Sequence, residues 1–247
     1  MFFTVLTAVV LVTPAKAQGS GAGQNPPPGT TAALHPAPMK TYTNPALLLT
    51  FSYPAELRTM DGKGAAASGQ RMVYGESALP NAERSSAPAA CTTTLLALGR
   101  QPATGQAGAV ASLTLFDIDL HCLPPKAAKS KSVMNTALRG FASQGVTELG
   151  MMPVSEPVGY PLDGHRAYFA ASQGTPVTKT DLQSTQSEMM AVVAVAANEH
   201  ILAWMLESDD LEFFNRMLES RVAFGPEPGQ PLFPAGLHGD DVFNPMQ

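Results

Sequence analysis

The chain has 247 residues, 45% of them hydrophobic and 14% charged, with a formal net charge of −5. This is a globular composition, enough for one domain or two small ones, and its solubility leans on Thr, Ser, Gln and Asn rather than on charge. The acidic balance and the lack of any dense Lys/Arg cluster argue against nucleic acid and anionic membrane surfaces as partners.

Phe2 to Val12 is an apolar run broken only by two threonines, followed by Pro14 and the small-x-small pattern Ala15-Lys16-Ala17. This reads as a signal peptide over residues 1–17, although its n-region has no Lys or Arg. The run is shorter than the roughly 20 apolar residues a bilayer span needs, and no later stretch reads as a transmembrane helix. No Cys follows it, so a lipoprotein anchor is not expected. The protein is therefore expected to be exported, to a periplasm or to the exterior. Residues 18–40, rich in Gly, Pro, Ala and Thr, read as a disordered leader.

The folded domain is expected over 41–224. Leu47 to Tyr53 reads as a first strand ended by Pro54. Residues 60–90 form a Gly/Ala/Ser/Pro-rich excursion, with one short strand at Arg71–Tyr74. Thr92–Leu98 and Ser112–Leu120 read as a hairpin. If Cys91 faces Cys122, Leu95 lies opposite Ile118 and Ala97 opposite Phe116, which sorts one apolar face from one polar face. The two cysteines of an exported chain read first as one disulfide, Cys91–Cys122.

Ala127–Gln144 has the periodicity of a helix, with Gly145 closing it. Its Lys126, Lys129, Lys131 and Arg139 read as a solvated face. Arg166–Ala171 is expected as a strand entered through the turn Asp163-Gly164. Glu188–Ala196 and His200–Leu206, apolar on consecutive residues, read as central strands covered on both faces and joined at Asn198-Glu199. Asp209 is expected to cap a helix over Asp210–Ser220, and Val222–Phe224 to form a short edge strand. Residues 225–247 form a Pro-rich acidic tail, which Leu232-Phe233 and Val242-Phe243 could pin to the body. The fold class is α+β, an antiparallel sheet with helices packed on it.

Several segments carry a resemblance: Tyr42-Thr43-Asn44-Pro45 into Leu49-Thr50-Phe51-Ser52-Tyr53-Pro54, Leu162-Asp163-Gly164 into the following strand, and Leu202-Ala203-Trp204. Phe213-Phe214 and Met217 to Phe224 complete it. Over 41–224 the chain resembles the PsbP-like superfamily, which includes DcrB-like bacterial envelope proteins. The resemblance implies an α/β/α-like sandwich and, in most members, a non-enzymatic role. No site residue transfers with it.

Asp117, Asp119 and His121 alternate along one strand, about 6.5–7 Å apart. Two carboxylates and an imidazole are weak candidates for a metal, and the plainer reading is the wet face of an amphipathic strand. His35, His165 and His200 have no predictable acid or nucleophile partner. No G-x-S-x-G, H-E-x-x-H or P-loop pattern occurs, so no catalytic residue and no cofactor is expected. The expected role is a non-enzymatic binding, accessory or assembly protein of the cell envelope, with an envelope protein or a small ligand as partner. The alternative is a hydrolase or metal-dependent enzyme whose site assembles only in the fold.

Overall fold

The computed structural model describes residues 38–60, 92–100, 111–122, 129–147, 151–154, 156–174 and 188–243. The expected signal peptide 1–17, nearly all of the leader, the 61–90 excursion with its strand at Arg71–Tyr74, and Cys91 lie outside them.

The centre of the body is a ladder of three strands: β5 (Ala111–Asp119), β9 (Glu188–Ala197) and β10 (His200–Ser208). β10 pairs antiparallel with β9 along one edge and with β5 along the other. β9 and β10 are apolar on consecutive residues because both faces are covered, as the sequence indicates. Their connection is a two-residue turn with Asn198 at φ 49° and Glu199 at φ 66°. Positive φ at both central positions gives the turn the twist that flanking strands require. Asp163 and Gly164 make the same kind of turn, with φ of 47° and 78°, between β7 (Val158–Leu162) and β8 (His165–Gly174).

The main sheet runs β3 (Arg58–Thr59), β4 (Thr92–Gly99), β5, β10, β9, β8, with β6 (Met152–Pro153) and β7 both pairing with the outer edge of β8. Helix α1 (Lys131–Thr147) covers one face. A second antiparallel sheet lies on the other side of the core: β1 (Met39–Asn44), β2 (Leu49–Pro54), β11 (Arg221–Phe224) and β12 (Gln230–Pro231). The short helices α2 (Leu211–Met217) and α3 (Gly239–Phe243) complete that layer. The class is α+β with antiparallel sheets, as expected, but one helical layer of the expected sandwich is largely a sheet.

Two cores result. Leu113, Leu115, Val193, Val195, Leu202 and Trp204 point between the sheets, where Phe51, Phe213 and Phe214 meet them. Phe116, Ile118, Val192, Ala194, Ile201 and Ala203 point under α1, against Ala137 and Leu138.

β5 is thus buried on both faces, and the expected hairpin register does not hold. Thr92 lies opposite Ile118 and Thr94 opposite Phe116, and a bulge at Leu95 then sets Leu96 opposite Leu115. An apolar/polar sorting rule has no purchase on a strand with two apolar faces.

Smaller differences have local causes. Pro45–Leu47 is a 3-10 turn capped by the Asn44 side chain, so β2 begins at Leu49. Gly145 does not end α1, which continues to Thr147. Asp210, not Asp209, caps α2 by accepting from the Phe213 amide. Burial works to raise the Asp210 carboxyl, but the Phe213 amide and Arg100 hold it below its ordinary range. β11 is an interior strand, between β2 and β12.

The body continues past Phe224. Leu232, Phe233 and Phe243 are buried in the inter-sheet core, and the Tyr160 hydroxyl donates to the Leu232 carbonyl. Phe233 stands edge-on to Phe169 with centroids 6.0 Å apart. Phe233→Ala should cost about 3 kcal/mol in urea denaturation. Truncation after Phe224 should abolish the cooperative transition; a truncated chain that melts like the full one would show that these contacts carry no stability.

Candidate functional site

The two-residue turn at Asn198-Glu199 and the end of β5 bring five titratable side chains to one end of the main sheet. The expected Asp117, Asp119 and His121 do not act as a set. His121 lies in a 3-10 turn, Leu120–Cys122, and curls back: its amide and its Nδ1 both lie 2.8 Å from Asp119 Oδ1. Asp117 instead meets His200, Nδ1 to Oδ1 at 2.7 Å, from 83 residues away. The sequence offered no partner for His200 because this one comes from the neighbouring strand of the ladder. Among the described residues no three His, Cys, Asp or Glu side chains gather where a metal could be held.

The two pairs differ electrostatically. The amide and ring of His121 hold the Asp119 carboxyl below its ordinary value of 3.8, and the Asp119 hydrogen bond raises His121 above 6.5. The Asp119 contribution to stability is present above pH 3.8 and lost as pH falls through its lowered value. The His121 contribution is present below pH 6.5 and lost as pH rises through its raised value. Both groups are exposed, so these contributions are small. Asp117 is half-buried, and desolvation raises its carboxyl despite the opposing influence of His200. Its ionised form therefore weighs on the fold at neutral pH, and His200 lightens that weight.

The α1 side of the same sheet end holds a groove of about 430 Å³. Its floor is Leu120, Met134, Leu138, Ala196 and Ala197; its rim carries Lys129, Ser130, Lys131 and Asn135 from the helix side. His165, Arg166, Asn198 and Glu199 close it from the strands. Leu138 belongs to the core under α1, and Met134 packs beside it, so the floor continues that core outward.

The cations are the distinctive part. Elsewhere Arg100 pairs with Asp210 at 2.9 Å, Arg216 with Glu56 at 3.2 Å and Arg139 with Glu156 at 3.4 Å. Lys129, Lys131 and Arg166 pair with no carboxylate among the described residues. Arg166 lies over the Tyr168 ring at 5.6 Å and fills the space that a side chain at Gly159 would need. Lys129 and Lys131 flank the start of α1, whose first turn has no acid. That helix end is the positive pole, where a cation costs about 0.3–1 kcal/mol. Reading these lysines as a solvated face captured their exposure but not their convergence with Arg166, which comes from a distant strand.

Alternation along the strands separates the two features. Asp117 and His200 lie on the same strand faces as Leu115 and Leu202, which point into the inter-sheet core. The groove opens on the opposite face, beneath α1. His165 borders the groove while its ring packs edge-on against Phe224, 5.1 Å away.

No family model matches the sequence, and no curated protein matches it. Solved structures are similar in chain course. One is LpqN, involved in cell envelope biogenesis of Mycobacterium tuberculosis, at TM-score 0.35 and 13% identity, covering 60% of this chain and 81% of that one. Another is the cyanobacterial PsbP of a Synechocystis strain, at TM-score 0.38 and 11% identity, covering 73% and 86%.

His200→Ala should lower stability by about 1 kcal/mol at pH 7, the cost of a half-buried carboxylate losing its hydrogen-bond partner, reduced for solvent screening. The loss should shrink at pH 4, where the raised Asp117 carboxyl holds its proton more of the time than at pH 7. Urea denaturation at the two pH values decides it; an equal loss at both would mean that the pair's charge contributes nothing.

Proposed function

We propose that the protein is a non-enzymatic binding or accessory protein of the cell envelope, exported through its N-terminal segment, and that the groove beneath α1 is where it binds. The observation that carries this is the separation just described. The groove is lined mainly by apolar groups and cations, while the half-buried acid–base pair, Asp117 with His200, lies on the other face of the sheet, and the exposed pair Asp119–His121 is not on the lining. Proton-transfer catalysis needs the base within hydrogen-bond reach of a bound substrate. Binding needs only a floor, a rim and complementary charge.

The hydrolase alternative makes a distinct demand. Turnover of ester, amide or phosphoester substrates would have to depend on His200 and Asp117. No activity above background should be found that is lost in both His200→Ala and Asp117→Asn. A turnover abolished by both, in variants that still fold, would make the protein an enzyme.

Export and the Cys91–Cys122 disulfide belong to the same proposal. The observed ladder, with Thr92 opposite Ile118, does not keep the cross-strand register that agreed with the bridge. What supports it now is the presence of only two cysteines in a chain with an export signal. Intact mass of the exported protein should place its start at Gln18, with no thiol titratable after denaturation without reductant. A retained Met1 would refute export, and two reactive thiols would refute the bridge.

A further inference from the structure

We propose that the groove between the start of α1 and the β8–β9–β10 end of the sheet binds a small amphiphilic anion, one with an acidic headgroup and a short apolar body. This rests on the reading of the protein as a binding protein and adds the chemistry of what is bound.

Charge comes first. Lys129 and Lys131 stand on one wall and Arg166 on the other, and none has a carboxylate partner among the described residues. They converge although the chain as a whole carries a net charge of −5. Both lysines sit at the pole of α1 where local electrostatics favours an acid, and that pole adds its own positive potential to the rim. Among the described residues Glu199 is the single acid on the lining, and it faces His121 Nε2 at 3.7 Å, so part of its charge is met outside the groove. A site with these cations and one partly satisfied acid selects an anion.

The floor decides between a bare anion and an amphiphile. Leu120, Met134, Leu138 and Ala196 are continuous with the core under α1. A bare phosphate or acetate would leave that floor wet. A ligand with an apolar body removes it from water while its headgroup reaches the rim, and both contributions favour binding. Ser130 and Asn135 lie on the rim beside the lysines, within the same lining, and supply neutral polar groups for the headgroup.

Calorimetric titration of the full exported chain tests this with three matched probes. Decanoate should bind saturably, tighter than about 1 mM, while acetate (headgroup alone) and decyltrimethylammonium (the same chain with opposite charge) should not. The Lys131→Glu/Arg166→Glu double variant alters two exposed side chains and should keep its circular dichroism spectrum and melting temperature. It should weaken decanoate at least about tenfold. Met134→Gln should weaken decanoate without admitting the cation. Free decanoate separates a small-molecule site from a membrane surface: phosphatidylglycerol vesicles should not sediment the protein. Equal binding of decyltrimethylammonium, indifference of decanoate to the double variant, or sedimentation with vesicles in place of decanoate binding would overturn the proposal. Failure of all probes, with an envelope component still crosslinking to the groove wall in the wild type and not in the double variant, would overturn the ligand class and leave the binding role standing.

Discussion

Everything else in this fold depends on one ladder being apolar on both faces. β9 and β10 run antiparallel with β5 on the far side of β10, and all three strands send large side chains in both directions. Such a sheet cannot present either face to water, because burying a Leu, Val or Phe side chain is worth roughly 1.5–3 kcal/mol relative to leaving it exposed. One face is answered by a single long helix. The other is answered by a small sheet assembled from the two ends of the body, β1 and β2 from the beginning and β11 and β12 from the end. Trp204, fully buried in β10, is the meeting point: Phe51 of β2 lies 5.8 Å from its ring and Phe224 of β11 6.5 Å.

The same constraint explains where the groove lies. A straight helix laid on a twisted sheet cannot follow it to every corner. At the β8–β10 end, the start of α1 and the turn at Asn198-Glu199 leave the core's edge uncovered among the described residues, and apolar side chains there form the groove's floor. Polar groups at that edge are then free to serve something other than the fold. Arg100 and Arg216, by contrast, lie over the Phe213 ring at 5.1 and 5.4 Å while pairing with Asp210 and Glu56. Those cations are engaged in holding α2 to the body.

What was legible in the sequence follows the range of the interactions involved. β8, β9 and β10 could be read because their turns are local: Asp163-Gly164 and Asn198-Glu199 each reverse the chain within two residues. α1 was legible from its apolar periodicity, and its lysines from their exposure. The register of β4 on β5 was not, because the bulge at Leu95 has no composition signal and because Asp117 and Asp119 disguise a doubly buried strand as an amphipathic one. β1 was hidden by its polar Thr-Tyr-Thr pattern at the end of a Pro-rich leader, and its place as an edge strand of a second sheet makes that pattern sensible. Leu232 and Phe233 could be suspected but not placed, since their partners Tyr160 and Phe169 are more than sixty residues away.

The candidate site failed in the sequence for the same reason, with a sharper lesson. Asp117, Asp119 and His121 drew notice because they are close in sequence, and proximity split them: a turn residue folded back on Asp119, while Asp117 found His200 on the adjacent strand. Lys129 and Lys131 read only as part of a solvated helix face and Arg166 only as the start of a strand, because separately each is an ordinary surface cation. What distinguishes them is a joint property, three positive charges converging on an apolar floor at a helix end that already disfavours two of them. Local rules broken together without local compensation mark places where function outweighs stability. Acid–base pairs satisfied by each other, as Asp117 and His200 are, mark the opposite. Among the described residues the groove gathers three cations without carboxylate partners over an apolar floor, whereas Asp117 and His200 satisfy each other on the opposite face of the sheet.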